Sequence, residues 1–127
     1  MNTNTPVPDE ISEQIIGGAF TVANTPGYGF LEKVYENALT TELRRRGLGV
    51  AQQFGMTVEH LGASVGEYFV DLLVEGTVPV ELKTVRALDH AHRAQCINYL
   101  RATGRHLCLL INFGAPRLEV RRIVLDF

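Results

Sequence analysis

The segment Tyr68-Phe69-Val70-Asp71-Leu72-Leu73-Val74, then Glu75-Gly76-Thr77, then Val78-Pro79-Val80-Glu81-Leu82-Lys83-Thr84, limits what this chain can fold into more than any other. Two apolar runs separated by a short glycine-containing turn read as the paired strands of a hairpin. Side chains alternate along a strand, so Val80 and Leu82 point to one face and Glu81 and Lys83 to the other. Pairing across the short turn brings Asp71 close to positions 81–83. A carboxylate inside an apolar strand is costly unless a cation, a hydrogen-bond donor or a metal compensates it. Asp71, Glu81 and Lys83 are therefore expected to share one compact polar site. Two readings compete for it. One is a cross-strand salt bridge on a solvated sheet face. The other is a hard divalent ion held by the carboxylates, a backbone carbonyl and waters. An Asp plus Glu-x-Lys occurs often by chance and does not decide between them.

The rest of the chain supplies walls for such a site. Residues 1–8 are polar with two prolines and are expected to form a loose arm, leaving 9–127 as a single domain. A first helix is expected from about Asp9, with Ile11, Ile15, Ile16 and Phe20 on one stripe, although Gly17-Gly18 weakens its middle. Asn24 to Gly29 is a break. A second helix is expected from Phe30 to Arg46, with Leu31, Val34, Tyr35, Ala38, Leu39 and Leu43 at helical spacing. The period then changes to that of strands: Val50–Gln53, Met56–His60, a turn at Gly62-Ala63-Ser64, Tyr68–Val74 and Val78–Thr84. A third helix is expected from Asp89 to Ala102, closed by Gly104, and strands follow at Leu107–Phe113 and Leu118–Leu125. Helix, helix, strand meander, helix, strand, strand is the order of a mixed sheet with helices packed against it, an α/β or α+β architecture.

Further polar groups fall near the hairpin. Glu32 and Glu36 lie one turn apart on the second helix, where their mutual repulsion is relieved by a cation. An ordinary acidic helix face accounts for them equally well. Gln95 and Tyr99 share a face of the third helix and could hold a water or touch a phosphate. A hydrogen bond at the helix–sheet interface is the simpler account. His90 and His92 lack a third ligand at zinc spacing. Cys96 and Cys108 are isolated in apolar contexts, as buried free thiols of a reducing cytoplasm would be. No apolar run approaches the roughly 18 residues of a membrane helix, and the first residues do not read as a signal peptide.

The net charge is −2, which argues against a uniformly basic nucleic-acid coat. A loaded metal site carries its own positive charge, so a nuclease is not excluded. Arg44-Arg45-Arg46, Arg101 with Arg105, and Arg117 with Arg121-Arg122 are local basic clusters, most simply solvated helix ends and a strand edge.

The run Gly29-Phe30-Leu31-Glu32-Lys33-Val34-Tyr35 resembles the G-x-x-E-x-x-Y signature of a family of small bacterial proteins in the PD-(D/E)xK nuclease superfamily. Asp71-Leu72-Leu73-Val74, Glu81-Leu82-Lys83, His92-x-x-Gln95 with Asn98-Tyr99-Leu100, and Leu110-Ile111-Asn112-Phe113 follow in family order, so the resemblance spans about Tyr28 to Leu125. Val70 stands where the superfamily's eponymous proline is often absent too. The resemblance implies a restriction-endonuclease-like α-β-β-β-α-β core with an extra N-terminal helix. It implies metal ligands Asp71 and Glu81, with Glu36 and Glu32 as further candidates, and Lys83 and Gln95 beside them as catalytic residues. It implies Mg²⁺ or Mn²⁺ as cofactor, and Tyr99, Tyr35, His92 and Arg101 as nucleic-acid contacts. The implied function is a metal-dependent phosphodiesterase acting on DNA, with RNA as the other candidate. The alternative is a catalytically silent scaffold that self-assembles or binds a partner or nucleic acid. A homo-oligomer is compatible with both.

Overall fold

The computed structural model describes residues 7–25 and 29–126. Most of the expected N-terminal arm and the middle of the break after the first helix lie outside the described residues. The elements are α1 (Pro8–Asn24), α2 (Glu32–Arg45), β1 (Val50–His60), β2 (Ala63–Val74), β3 (Val78–Lys83), α3 (His90–Thr103), β4 (Leu107–Asn112) and β5 (Glu119–Val124). One five-stranded sheet has the order β1-β2-β3-β4-β5, antiparallel except for the parallel β3–β4 pair. The parallel pair requires a crossover, which α3 supplies. The series α2-β1-β2-β3-α3-β4 is the expected core, preceded by α1 and extended by β5.

Three layers result. On one face α1 and α2 cover Leu72, Val74, Val80, Leu82, Leu109 and Ile111. On the other, Cys96 and Leu100 of α3 cover Cys108, Leu110 and Ile123, while Tyr99 covers Val70 and Leu73. Successive residues of β3 serve opposite layers, so Glu81 faces α3.

Sequence periodicity misplaces some helix residues. Phe20 is exposed, because it lies nine residues and so about 180° from Ile11; the buried stripe runs Ile11, Ile15, Ala19, Val22. Leu31 and Val34 are exposed as well, Leu31 being the residue that precedes α2. Gly17-Gly18 does not break α1. A Cβ on Gly18 would lie 2.8 Å from Leu43 Cδ2, so the small residues are where α1 closes on α2. The two short strands expected over 50–60 form one, kinked at Gln53, whose φ is +51°. The hairpin turn is Leu61-Gly62, both with positive φ, and β2 begins at Ala63 rather than Tyr68. Weak strand formers such as Ser64 and Gly66 are carried by the ladder to β1.

The loops beyond β3 and β4 are tied together by one side chain. Asn112 is fully buried; its amide donates to Val85 O (2.8 Å) and Glu119 Oε1 (2.8 Å), and its carbonyl accepts from Val85 N (3.0 Å) and Gly114 N (2.9 Å). The approach is so close that a Cβ on Gly114 would lie 2.3 Å from Thr84 C. Backbone cannot yield as a side chain does, so Gly114→Ala is expected to destabilise the protein by about 1–3 kcal/mol. Chemical denaturation would show it as a lower midpoint at unchanged slope.

Candidate active site

β2 and β3 separate where the acidic residues stand. Their register, Leu72↔Val80 and Leu73↔Pro79, would place Asp71 opposite Glu81, but the ladder stops one pair short. Side chains replace the missing backbone bonds. Asp71 Oδ2 accepts from Leu82 N at 2.7 Å, and Glu81 Oε1 accepts from Asp71 N at 3.4 Å. The fork is thus held open with both carboxylates inside it. Lys83, the last residue of β3, donates from Nζ to Gln95 Oε1 at 3.1 Å, which ties the strand to α3. Among the described residues no ion pair joins Lys83 to Asp71 or Glu81. The simple cross-strand salt bridge is therefore not what this geometry shows.

The electrostatics fit that picture. Glu81 is 6% exposed. Burial, and then the charge of Asp71, push its carboxyl up to about 8, with Lys83 and the Asp71 N–H opposing. Glu32 at the start of α2 is raised first by desolvation and then by Asp71, so it belongs to the same electrostatic neighbourhood. Tyr68 on β2 is raised as well, by burial and then by Glu81, and its hydroxyl donates to Gln95 O at 3.4 Å.

Glu36 is placed differently. It is buried, and its carboxylate accepts from Lys33 Nζ (2.8 Å), Gln52 Nε2 (2.7 Å) and Gln53 Nε2 (2.8 Å). The Gln53 amide also reaches Asp71 Oδ1 at 3.1 Å. Glu36 is therefore connected to the site through Gln53, the residue at the β1 kink. Gln52, Gln53 and Tyr68 were not legible in the sequence; the one available signal was a pair of adjacent glutamines at the end of the first expected strand.

Three expected nucleic-acid contacts are structural in position. Tyr35 is buried, stacks on Phe113 at 4.6 Å, and accepts from Phe30 N at 3.1 Å, which fixes how the chain enters α2. Tyr99 is 1% exposed beneath Tyr68, with the Arg105 guanidinium near its hydroxyl. His92 forms a reciprocal cap with Asp89 at the start of α3. Arg101 is exposed in the last turn of α3. Arg45 and Arg46 are engaged by Glu42, and Arg44 by Val50 O, as ordinary helix-end residues.

The family profile of the PD-(D/E)XK nuclease superfamily matches residues 9–123. The chain belongs to that superfamily. Nucleases of this superfamily generally use divalent metals, and their substrate is nucleic acid. The crystal structure of SSO0001 shares the fold at a TM-score of 0.56 and 17% identity, over 93% of this chain and 60% of that one. This chain thus spans less than two thirds of that protein. An alkaline exonuclease from Laribacter hongkongensis aligns more loosely, with a TM-score of 0.43 and 14% identity, over 99% of this chain and 73% of its own. No curated protein matches significantly. No helix among the described residues is long and apolar enough to cross a membrane.

The PD-(D/E)XK fork suits a hard cation. Asp71 and Glu81 offer oxygen donors, and the cost of charging Glu81 is one a divalent ion relieves. Among the described residues no three His, Cys, Asp or Glu side chains converge, so two carboxylates, backbone carbonyl and water make up the donor set on offer.

Proposed function

We propose that this protein is a divalent-metal-dependent nuclease of the GxxExxY type, hydrolysing phosphodiester bonds of DNA, with RNA as the second candidate. The observation that carries the reading is the open β2–β3 fork, in which Asp71 and Glu81 stand beside a Lys83 that is held by Gln95 rather than by either carboxylate. Asp71 and Glu81 would hold Mg²⁺ or Mn²⁺, which when bound polarises a phosphodiester and makes an attacking water available at neutral pH. Gln95 orients the Lys83 ammonium, and that ammonium orients the water or stabilises charge developing on the phosphate. Tyr68, which packs on the buried Tyr99, stands in the field of Glu81. Glu36 and Gln53 keep Asp71 aimed into the fork. Glu32 shares the field of Asp71, and it would join the ligand set only by a movement of its side chain towards the fork.

Purified protein is expected to cleave single-stranded, linear or plasmid DNA when Mg²⁺ or Mn²⁺ is added and not when EDTA is present. Parallel RNA substrates decide the nucleic acid. Complete absence of cleavage across these substrates and both metals would overturn the reading.

Self-association is compatible with this activity. The β1–β2 arm exposes Phe54, Leu61, Val65 and Phe69, and β1 is an edge strand. A concentration-dependent mass by light scattering that falls when Phe69 is changed to Ser is the expected sign of a homo-oligomer.

A further inference from the structure

The flank of α3 opposite the acidic centre is basic. Arg93 and Gln95 are two positions apart, so they point about 200° from each other around the helix. Gln95 meets Lys83, whereas Arg93 lines a cavity of about 380 Å³ between the first turn of α3 and β5. The half-buried Leu88 forms apolar lining of this cavity above the core residues Leu110 and Ile123, and His90, Arg93 and Arg121 bring basic groups to it. Asp89 is the one carboxylate lining it, and its Oδ1 is already engaged by His92 N at 3.1 Å. Arg121 donates to Val120 O at 3.0 Å and stands 3.6 Å from Glu119, whose other oxygen is taken by Asn112. Among the described residues the Arg93 side chain has no hydrogen-bond or ionic partner.

The cavity is in line with the acidic fork. Glu81 pairs with Leu110, and Leu110 with Arg121, so the three form one row across β3, β4 and β5. Two strand spacings separate Glu81 from Arg121, about 10 Å. That distance is roughly three nucleotides at the duplex rise of about 3.4 Å, and fewer for an extended strand. The segment linking Lys83 to the cavity carries Arg86, exposed and likewise without a side-chain partner among the described residues.

We propose that this cavity is a phosphate subsite for a nucleic-acid strand, in which Arg93 and Arg121 hold one phosphate while the attached sugar or base lies against the half-buried Leu88. Guanidinium groups suit the task because they bind phosphate oxygens through paired N–H donors and stay charged at every relevant pH. The concave shape, with the half-buried Leu88 at its wall, is what distinguishes this place from a merely basic surface: it gives the nucleoside attached to the phosphate an apolar contact. The inference rests on the nuclease reading for the nature of its ligand.

The test reads binding rather than cleavage. Fluorescence anisotropy is measured with labelled single-stranded DNA in the Lys83→Ala background with Mg²⁺, using strands with a 5′-phosphate, a 3′-phosphate or neither. Arg93→Ala and Arg121→Ala are each expected to weaken binding about 5- to 10-fold. The double variant is expected to reduce the slope of log affinity against log salt by about 0.7, the value for one single-strand phosphate contact. Arg93→Lys, which keeps the charge, should retain the slope, and Arg45→Ala on α2 should change nothing. A loss confined to one phosphorylated end assigns the cavity to a strand terminus, and an equal loss for all strands assigns it to a backbone phosphate. Unchanged affinity and slope in the double variant, an equal loss in Arg45→Ala, or no binding of any strand would overturn the proposal. Wild-type cleavage together with unaltered binding in the double variant removes the subsite and leaves the nuclease reading standing. Arginine-dependent binding without wild-type cleavage does the reverse.

Discussion

Lys83→Ala is expected to lower the rate of DNA cleavage by about 10²- to 10³-fold while leaving the fold and its melting temperature nearly unchanged. The size follows from what the ammonium is doing. It is partly exposed at the end of β3 and tied only to Gln95 among the described residues, so its removal leaves no buried partner unpaired and costs little stability. Its effect is confined to charge and orientation at the fork. Lys83→Arg is not expected to restore the rate, because a planar guanidinium is longer and distributes its charge differently. Gln95→Ala should give a smaller loss, about 10-fold, since the lysine remains but is less well held. Asp71→Asn should also abolish cleavage, through loss of a cation ligand. Initial rates on a plasmid substrate, set beside thermal melts of each variant, make the comparison. A Lys83→Ala enzyme within a few-fold of wild type would sink this assignment.

The features legible in the sequence were those set by short-range rules. Alternation along Val78–Lys83 put Glu81 and Lys83 on one face, and a three-residue turn brought Asp71 to them; both depend only on local geometry. The features that escaped depend on what approaches from elsewhere. Gln53 reads as an ordinary polar strand residue, yet its positive φ kinks β1, and its side chain links Glu36 to Asp71. Tyr35 and Tyr99 look like aromatic contacts for a ligand, but each is covered by layers that periodicity cannot locate. His92 is the local exception: the expected helix started at Asp89, one residue early, which hid Asp89 as the N-cap and His92 as its partner. Element ends misread by two residues were enough to move Leu31 out of the helical stripe, and a nine-residue offset put Phe20 opposite Ile11.

Glu81→Gln is expected to stabilise the metal-free protein at alkaline pH while removing its ability to hold the metal. Glu81 has its folded-state carboxyl pushed up to about 8, chiefly by burial and then by Asp71, against an unfolded value near 4.5. A raised carboxyl means that the folded state prefers the proton. Its contribution to stability is fully present below about pH 4.5, is lost as the pH rises towards 8, and is flat above. The loss is on the order of a few kcal/mol, because every tenfold difference in proton affinity between folded and unfolded chain is worth about 1.4 kcal/mol. Glutamine retains the oxygen that accepts from Asp71 N, and it has no proton to lose. The two proteins should therefore melt together near pH 4.5 and separate progressively up to about pH 8, with the glutamine variant the more stable. Added Mg²⁺ should close the gap from the wild-type side only, since a cation that binds the folded state stabilises it and replaces the proton. Metal affinity of the wild type should for the same reason strengthen with pH until Glu81 is fully ionised. A glutamine variant less stable than wild type at pH 9 without metal would show that Glu81 is not the strained group. A site kept costly when empty is what a metal-binding carboxylate pair requires, and it is why the fork is best tested in both its empty and its loaded states.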